Sequence, residues 1–276
     1  MNYKIAADSS SNLCHFSHPN FVSVPLKVVT DQREFVDDEH LDVPEMMEFL
    51  ASYQGRSGTS CPNVGEWLEA FEGGEGVFAL SLTGTLSGAY NACVQARDVY
   101  EENHPDRRVC CLDTLSAGPE LALQVEKLLE LTESGRDFDA IEAGIKAYMK
   151  KTHLVFLLES LSNMEKNGRV SHLVAKTCGL LGIRIQGQAS SEGTLEPLHK
   201  CRGEKKGLAT MYKVMRERGY QGGKVRIAHC CNQSAAEAFA ELVRADFPQA
   251  DLTIAATGGL CSFYAEQGGL MVGFEE

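Results

Sequence analysis

The sequence predicts an α/β protein in which a mainly parallel sheet, with helices on both faces, precedes an α+β domain with a mixed sheet. Up to about residue 155, short apolar runs alternate with amphipathic helical patterns, which is typical of parallel sheets. Beyond that point, two strand-like runs flank residues 190–193, SSEG, a hairpin signal. We predict two closely packed domains, residues 1–155 and 156–276, because no Pro- or Ser-rich linker separates them.

Apolar periodicity and helix-stop residues assign the elements in chain order. Buried or alternating apolar runs predict strands at 3–8, 21–30, 33–37, 77–82, 108–113, 153–160, in two runs within 182–202, and at 224–230, 252–257 and 269–274. Apolar residues at helical spacing predict helices at 43–54, from 63 to the glycines at 73 and 74, and at 87–102, 120–134, 138–152, 203–218 and 235–247. Ser234 and Glu237 form a capping-box pattern that predicts the start of the last helix.

Bulk composition excludes several function classes. The chain has 276 residues and a formal net charge of −12, so we expect no binding to nucleic acid or to an anionic membrane. No apolar run reaches the roughly 18 to 20 residues that span a bilayer. The N-terminal sequence MNYKIAADSS lacks a hydrophobic signal core, so we expect no transmembrane segment and a cytoplasmic protein.

The cysteine pattern argues against a disulfide framework. The ten cysteines include two adjacent pairs within strand-like runs and no CxxC motif, so we interpret them as small buried apolar residues. Cys14, His15 and His18 form a cluster that suggests a metal. The cluster has no second half at ligand spacing, so we predict no metal site.

A hydroxyl-rich stretch, SLTGTLSGAYNA at residues 81–92, follows an apolar strand and leads into a helix. It places hydroxyls at Ser81, Thr83, Thr85 and Ser87. Such hydroxyls serve as ordinary helix caps. Alternatively, together with the free N–H groups of the helix start, they hold an anion. The local pattern leaves both interpretations open.

Three further hydroxyl-rich turns lie at 8–10, 113–116 and 58–63. The first two follow predicted parallel strands, whose carboxyl ends are the usual place for a ligand. The third lies between two predicted helices. Convergence of all four turns predicts a pocket of neutral donors that suits one carboxylate or phosphate.

Enzyme motifs give little support to a nucleotide-binding or hydrolase function. The sequence has no GxGxxG after a strand, no GxxxxGK[ST] and no GxSxG. A Ser–His–Asp site assembled in space stays open, with Ser87 or Ser60 as the nucleophile of an acyl or phosphoryl hydrolase or transferase. Arg169, after Gly168 at a predicted helix end, is either exposed or supports an anion site. The basic stretch 199–206, HKCRGEKK, is either a solvated helix start or a docking spot for an acidic partner.

Taken together and in order, these motifs resemble the DegV family of bacterial fatty-acid-binding proteins, which includes the binding subunits of bacterial fatty-acid kinase. The resemblance covers nearly the whole length. It rests on the segments IAADSS, VPLKV, TSCPN, SLTGTLSGAYNA, LDTLSAG, NGRVS and HKCRG.

The resemblance implies a two-domain protein that buries one long-chain fatty acid, with the tail in an apolar tunnel. It implies no cofactor besides this ligand and no turnover by the chain alone. The family's carboxylate-binding positions fall on Thr59, Ser60 and Ser87, with the Gly88 N–H beside them. The arginine of the family's Gly-Arg-Ile motif falls on Arg169.

The resemblance also implies a partner, a fatty-acid kinase catalytic subunit, which the family's Lys-x-Arg region helps to engage, here Arg202. The chain departs from the family where a histidine usually precedes Gly-Pro-Gly, because Tyr264 occupies that position. A tyrosine hydroxyl can donate to a carboxylate but carries no positive charge at neutral pH. Ala89 and Gly84 further reduce the number of hydroxyls. A carrier of another amphipathic acid therefore stays open beside the fatty-acid interpretation.

Overall fold

The computed structural model describes residues 2–172 and 182–276 and has three sheets. The first sheet has the order β2-β1-β6-β7, the second β10-β9-β8-β13-β11-β12, and the small sheet β4-β3-β5. The strands are β1 (Tyr3–Asp8), β2 (Phe21–Val24), β3 (Lys27–Thr30), β4 (Glu34–Val36), β5 (Ser57–Ser60), β6 (Gly76–Ser81), β7 (Arg108–Asp113), β8 (Thr152–Leu158), β9 (Ile183–Ala189), β10 (Leu195–Arg202), β11 (Val225–His229), β12 (Leu252–Ala256) and β13 (Leu270–Glu275). The helices are α1 (Val43–Ser52), α2 (Val64–Phe71), α3 (Ala89–Asn103), α4 (Pro119–Glu133), α5 (Phe138–Met149), α6 (Ser162–Lys166), α7 (Glu204–Glu217), α8 (Gln233–Asp246) and α9 (Gly259–Ala265).

The first sheet is entirely parallel, as the alternation of strands and helices predicts. Every residue of β6 is buried, because helices cover both faces. On one face, α2 and α3 contribute Trp67 and Tyr100 to the core. On the other face, α4 and α5 contribute Leu121 and Ile141. The predicted architecture of this part of the chain is confirmed.

The second sheet is mixed, and its β9–β10 hairpin is the one predicted around residues 190–193. The helices α7 and α8 pack on one face through a large apolar core. The helix α4 lies against β13 on the other face, where a side chain at Gly273 would come within 2.4 Å of the Glu120 backbone nitrogen. Because α4 also packs on the first sheet, one helix joins the two sheets. The strand β8 spans the predicted boundary at 155 and 156, and the division into two domains stays a prediction.

Three local predictions are wrong. The predicted strand 21–30 is two strands, since Pro25 has no N–H to donate and the chain passes from the first sheet to the small sheet beside it. The predicted turn at 58–63 begins as β5, which pairs with β3 despite its turn-like composition. The N-cap of α8 is Asn232, whose side chain accepts from the Ala235 N–H, so the helix starts before Ser234. The helix α9 has no counterpart in the sequence-based prediction.

Asp37 connects the small sheet to α9. This residue follows β4, and its carboxylate accepts the backbone N–H groups of Gly259 at 2.5 Å and Leu260 at 2.9 Å. The Ser9 hydroxyl donates to the same carboxylate at 2.9 Å. A negative charge at a helix N-terminus is favourable, because the first N–H groups have no acceptor within the helix. The position of α9 therefore depends on one buried side chain.

We expect Asp37→Ala to lower the free energy of unfolding by about 3 kcal/mol, because it leaves buried donors without an acceptor. Urea denaturation followed by circular dichroism measures the change. Asp139→Ala is the matched control, since the Asp139 side chain is 77% exposed and forms a surface ion pair with Arg108. Equal stability of Asp37→Ala and the control would contradict the role of Asp37.

Candidate ligand-binding site

A cavity lies between the small sheet, the loop before α3, α6, α9 and one face of the second sheet. We call it the main cavity. Its empty space, including open solvent at its mouth, is about 770 Å³. Its lining is mostly apolar and comprises Leu26, Thr59, Leu82, Leu86, Ser87, Ala117, Leu154, Phe156, Leu158, Met164, Arg169, Leu195, Leu260, Cys261, Tyr264, Ala265 and Met271.

The polar side chains of the main cavity come from four separate elements. Thr59 on β5 and Tyr264 on α9 share a hydrogen bond between their hydroxyls at 2.8 Å. The Arg169 guanidinium, just beyond α6, lies 6.0 Å from the centre of the Tyr264 ring. Arg169 donates from Nε to the Leu86 carbonyl at 3.1 Å and from Nη1 to the Asn167 carbonyl at 2.5 Å. These bonds hold the guanidinium near the Tyr264 ring.

Ser87 lies at the start of α3. Its hydroxyl oxygen accepts the Ala89 N–H at 3.2 Å, which leaves the hydroxyl proton available to an acceptor in the cavity. The first N–H groups of α3 have no acceptor within the helix, and the helix dipole favours a negative charge there. Ser87 therefore accepts a backbone N–H at the start of α3 and also lines the main cavity.

The apolar wall of the main cavity is built on β8. Leu154, Phe156 and Leu158 alternate along this strand and face the cavity, while Val155 and Leu157 face the core beneath α7 and α8. These β8 residues were not among the site residues predicted from the sequence. The alternate apolar residues of strand 153–160 are the signal that points to it.

Four of the predicted site residues come together, and three do not. Thr59, Ser87, Arg169 and Tyr264 line the main cavity. Ser60 is exposed, and its hydroxyl donates to the Cys61 carbonyl at 3.4 Å. Gly88 is the N-cap residue of α3 and is also exposed. Arg202 ends β10, at the outer edge of the second sheet, and is exposed.

The other hydroxyl-rich turns serve buried carboxylates instead of the cavity. Asp8 accepts hydrogen bonds from the hydroxyls of Ser10 at 2.5 Å and Ser81 at 2.9 Å, and from the Leu82 N–H at 2.8 Å. Burial raises the pKa of Asp8 to about 6, and these hydrogen bonds limit the rise. The prediction that all four turns converge on one pocket is therefore wrong for 8–10 and 113–116.

Glu120, at the start of α4, is a second buried carboxyl group. Ser116 donates to it at 2.5 Å and Thr152, the first residue of β8, at 2.8 Å. Burial raises the pKa of Glu120 to about 7, and the two hydroxyls limit the rise. This carboxyl group therefore changes its charge near neutral pH.

The side chains of Cys14, His15 and His18 are not arranged as a set of metal ligands. Among residues 2–172 and 182–276, no group of three or more His, Cys, Asp or Glu side chains is arranged to hold a metal ion. The Cys14 thiol donates to the Asp37 carbonyl at 3.3 Å. Nine of the ten cysteines lie in this part of the chain, and all nine are free thiols. Cys178 lies outside the described residues.

No helix in the described part of the chain is both long and apolar enough to cross a membrane.

The comparisons with known proteins decide the family. A family model described as "Uncharacterised protein, DegV family" matches residues 2–276. The chain belongs to the DegV family. A DegV domain-containing protein of Streptococcus pneumoniae (strain ATCC BAA-255 / R6) is 43% identical over 279 residues, which cover 100% of this chain and 99% of that protein. The resemblance predicted from the motifs is confirmed.

Solved structures of DegV proteins share the fold. The Fatty Acid Kinase (Fak) B3 protein of Streptococcus pneumoniae, loaded with linoleic acid, is 43% identical with a TM-score of 0.97 and covers 100% of this chain and 99% of its own. A DegV family protein from Eubacterium eligens, loaded with heptadecanoic acid, is 41% identical with a TM-score of 0.96 and covers 99% of both chains. The mixed α/β architecture predicted from the sequence is that of the DegV fold.

The buried carboxyl groups predict a pH dependence of stability. Because the pKa of Glu120 is about 7 in the folded chain and 4.5 when the group is unperturbed, the folded state binds more protons between these pH values. We therefore expect the free energy of unfolding to fall by about 3 kcal/mol from Glu120 alone as pH rises from 4.5 to 7. Asp8 contributes in the same direction at lower pH.

Urea denaturation at several pH values measures the free energy of unfolding. Its decrease with rising pH should be smaller in Glu120→Gln than in wild type. Glu130→Gln is the control, because ion pairs with Lys127 and Lys224 lower the pKa of Glu130 despite partial burial. A carboxylate whose pKa is lowered by folding stabilises the folded state more as pH rises. Glu130→Gln should therefore retain the decrease in the free energy of unfolding between pH 4.5 and 7. An identical slope in wild type and Glu120→Gln would contradict the assignment.

Proposed function

We propose that this chain binds one long-chain fatty acid in the main cavity. The carboxylate lies at the polar end, beside Thr59, Ser87, Arg169 and Tyr264, and the tail lies along the apolar wall of β8. The observation that carries the proposal is the distribution of polarity, since these four side chains meet in an otherwise apolar cavity. Relatives of the same fold carry linoleic and heptadecanoic acids, which supports a ligand of this class.

The donors at the polar end suit a carboxylate. Thr59 and Tyr264 use one hydroxyl proton in their mutual bond, so the other proton is available to the ligand. Arg169 has five N–H donors, and its bonds to the Leu86 and Asn167 carbonyls use two of them. The guanidinium supplies a positive charge at the polar end, which the hydroxyl of Tyr264 does not.

The free energy of binding comes mainly from the tail. Burial of each methylene contributes about 0.8 kcal/mol, so roughly 14 methylenes contribute on the order of 10 kcal/mol before association costs. Burial of an unpaired carboxylate costs several kcal/mol, and each hydrogen bond to the charged group returns about 1.5 to 3 kcal/mol. Two or three such bonds offset the penalty, so the polar end sets orientation and the tail sets affinity.

The chain acts as a carrier that presents its fatty acid to a fatty-acid kinase catalytic subunit. A relative that is 43% identical is a Fatty Acid Kinase (Fak) B3 protein, and this supports a partner of the same kind. Arg202 lies exposed beside Lys200 and Lys205, in a basic stretch of a chain with net charge −12. Positive charge at this edge suits an acidic surface on the partner. Cytoplasmic location belongs to the same proposal.

A serine-dependent hydrolase or transferase is less well supported. Ser87 and the other polar residues of the main cavity include no histidine and no carboxylate among the described residues. A serine nucleophile needs a general base within hydrogen-bond reach. We therefore expect the chain to bind its ligand without turnover.

We expect Ser87→Ala to weaken fatty-acid binding by about 1 to 3 kcal/mol, because it removes a hydrogen bond to a charged group. Tyr264→Phe should weaken binding within the same range and retain the ring beside Arg169. Titration with a fluorescent fatty acid measures both losses, and native mass spectrometry confirms that one ligand is bound.

Ser134→Ala is the control for Ser87→Ala. Ser134 is exposed at the end of α4, its hydroxyl donates to the Leu131 carbonyl, and it does not line the main cavity. Ser60→Ala tests the remaining hydroxyl predicted from the motif, and we expect a smaller loss there because Ser60 does not line the cavity. Unchanged affinity in both Ser87→Ala and Tyr264→Phe would place the carboxylate elsewhere.

We expect Arg202→Ala to retain fatty-acid affinity and to reduce phosphorylation of the bound acid by a fatty-acid kinase catalytic subunit several-fold at low ionic strength. Added salt should reduce the difference between the two proteins, because screening weakens exposed charge pairs. Acyl phosphate formation measures the rate. Arg244→Ala is the control, since Arg244 is an exposed arginine on α8. Equal rates for all three proteins would remove Arg202 from the docking surface.

A further inference from the structure

A second cavity opens at the start of β8, between the β9–β10 hairpin, the end of β7 and the end of α5. It encloses about 1540 Å³ of empty space, including its wide mouth. Its lining is mixed, with apolar side chains such as Leu112, Leu115 and Met149 and charged side chains such as Asp113 and Lys146. Nothing in the proposed function uses this space.

Leu154 lines both cavities. Its side chain is almost fully buried, with 6% of the residue exposed. Among the described residues, 2–172 and 182–276, Leu154 is the only one that lines both the main cavity and the second cavity. One leucine side chain therefore lies in the partition between the two spaces.

Leu154 is distant from the polar end of the main cavity. Leu158 packs in a cluster with Met164 and Ala265, close in sequence to Arg169 and Tyr264, and Leu154 is not part of that cluster. Leu154 and Leu158 are four positions apart on an extended strand, a distance of about 13 Å. A tail that starts at the polar end and follows the wall of β8 reaches Leu154 last.

The second cavity can accept apolar chain beyond this partition. Leu112 and Met149 provide apolar surface next to Leu154. The carboxyl group of Glu120 also lines the cavity, but Ser116 and Thr152 already donate to it. Each oxygen of this carboxyl group therefore already accepts one hydrogen bond.

We propose that Leu154 ends the tail path of the main cavity and sets the longest fatty acid that this chain accepts, and that a shorter side chain at this position opens the path into the second cavity. The inference rests on the proposed function, because it assigns the limit of chain length to that same site. The ligands concerned are saturated fatty acids that are longer than those the main cavity holds.

The test compares wild type with Leu154→Ala in competition among hexadecanoic, octadecanoic, icosanoic and docosanoic acids, with bound species counted by native mass spectrometry. Each newly buried methylene is worth a factor of about four in affinity. We expect the ratio of docosanoic to hexadecanoic acid affinity to rise at least about tenfold in Leu154→Ala, since fewer than two further methylenes give that factor.

Leu157→Ala is the matched control. It truncates the same residue type on the same strand, but Leu157 faces the core beneath α7 and α8, where a side chain at Gly207 would come within 2.7 Å of it. This variant loses core packing without opening either cavity. We expect its chain-length ratio to equal that of wild type.

Cys111 gives an independent readout, because this partly exposed thiol lines the second cavity. Docosanoic acid should slow alkylation of Cys111 by N-ethylmaleimide in Leu154→Ala and not in wild type. Peptide-resolved mass spectrometry distinguishes Cys111 from the exposed thiol of Cys231.

The outcomes separate this inference from the proposed function. If wild type binds hexadecanoic acid and Leu154→Ala leaves the ratio and the alkylation of Cys111 unchanged, the role of Leu154 is overturned. An equal rise in Leu157→Ala also overturns it, because general loosening then explains the change. If no fatty acid binds to wild type, the proposed function itself fails.

Discussion

The buried carboxylate of Asp37 holds together the part of the structure in which the cavity forms. It accepts the first N–H groups of α9 and the hydroxyl of Ser9, and the Ser9 oxygen in turn accepts the Leu26 N–H at 3.0 Å. Through these bonds the small sheet, the end of β1 and α9 take one fixed arrangement. Since α9 carries Tyr264 and β5 carries Thr59, the hydrogen bond between their hydroxyls depends on that arrangement.

The hydroxyl-rich turns divide into two groups with different physical roles. Ser10, Ser81 and Ser116 donate to the buried carboxyl groups of Asp8 and Glu120, which would be costly to bury without partners. Thr59 and Ser87 instead line the main cavity. The same residue types therefore stabilise the carboxyl ends of the parallel strands in one place and line the main cavity in another.

The main cavity has polarity at one end and a long apolar wall, and two levels of structure produce this asymmetry. The alternation of side chains on β8 creates the apolar wall, because residues two apart face the same side of a strand. The polar end is assembled from β5, α9, the start of α3 and Arg169, three residues beyond the end of α6. An amphipathic ligand matches this distribution better than a uniformly polar one.

The sequence by itself determined the parallel first sheet, the β9–β10 hairpin and the family, because periodicity, turn residues and motif order are local properties of the chain. It also placed Thr59, Ser87, Arg169 and Tyr264 among the site residues through their motifs. The tertiary structure alone decided that Ser60 lies outside the cavity and that Leu154 lines two cavities. The direction of a side chain depends on strand pairing, and contacts such as that between Thr59 and Tyr264 join residues 205 positions apart, a distance over which local sequence carries no geometric information.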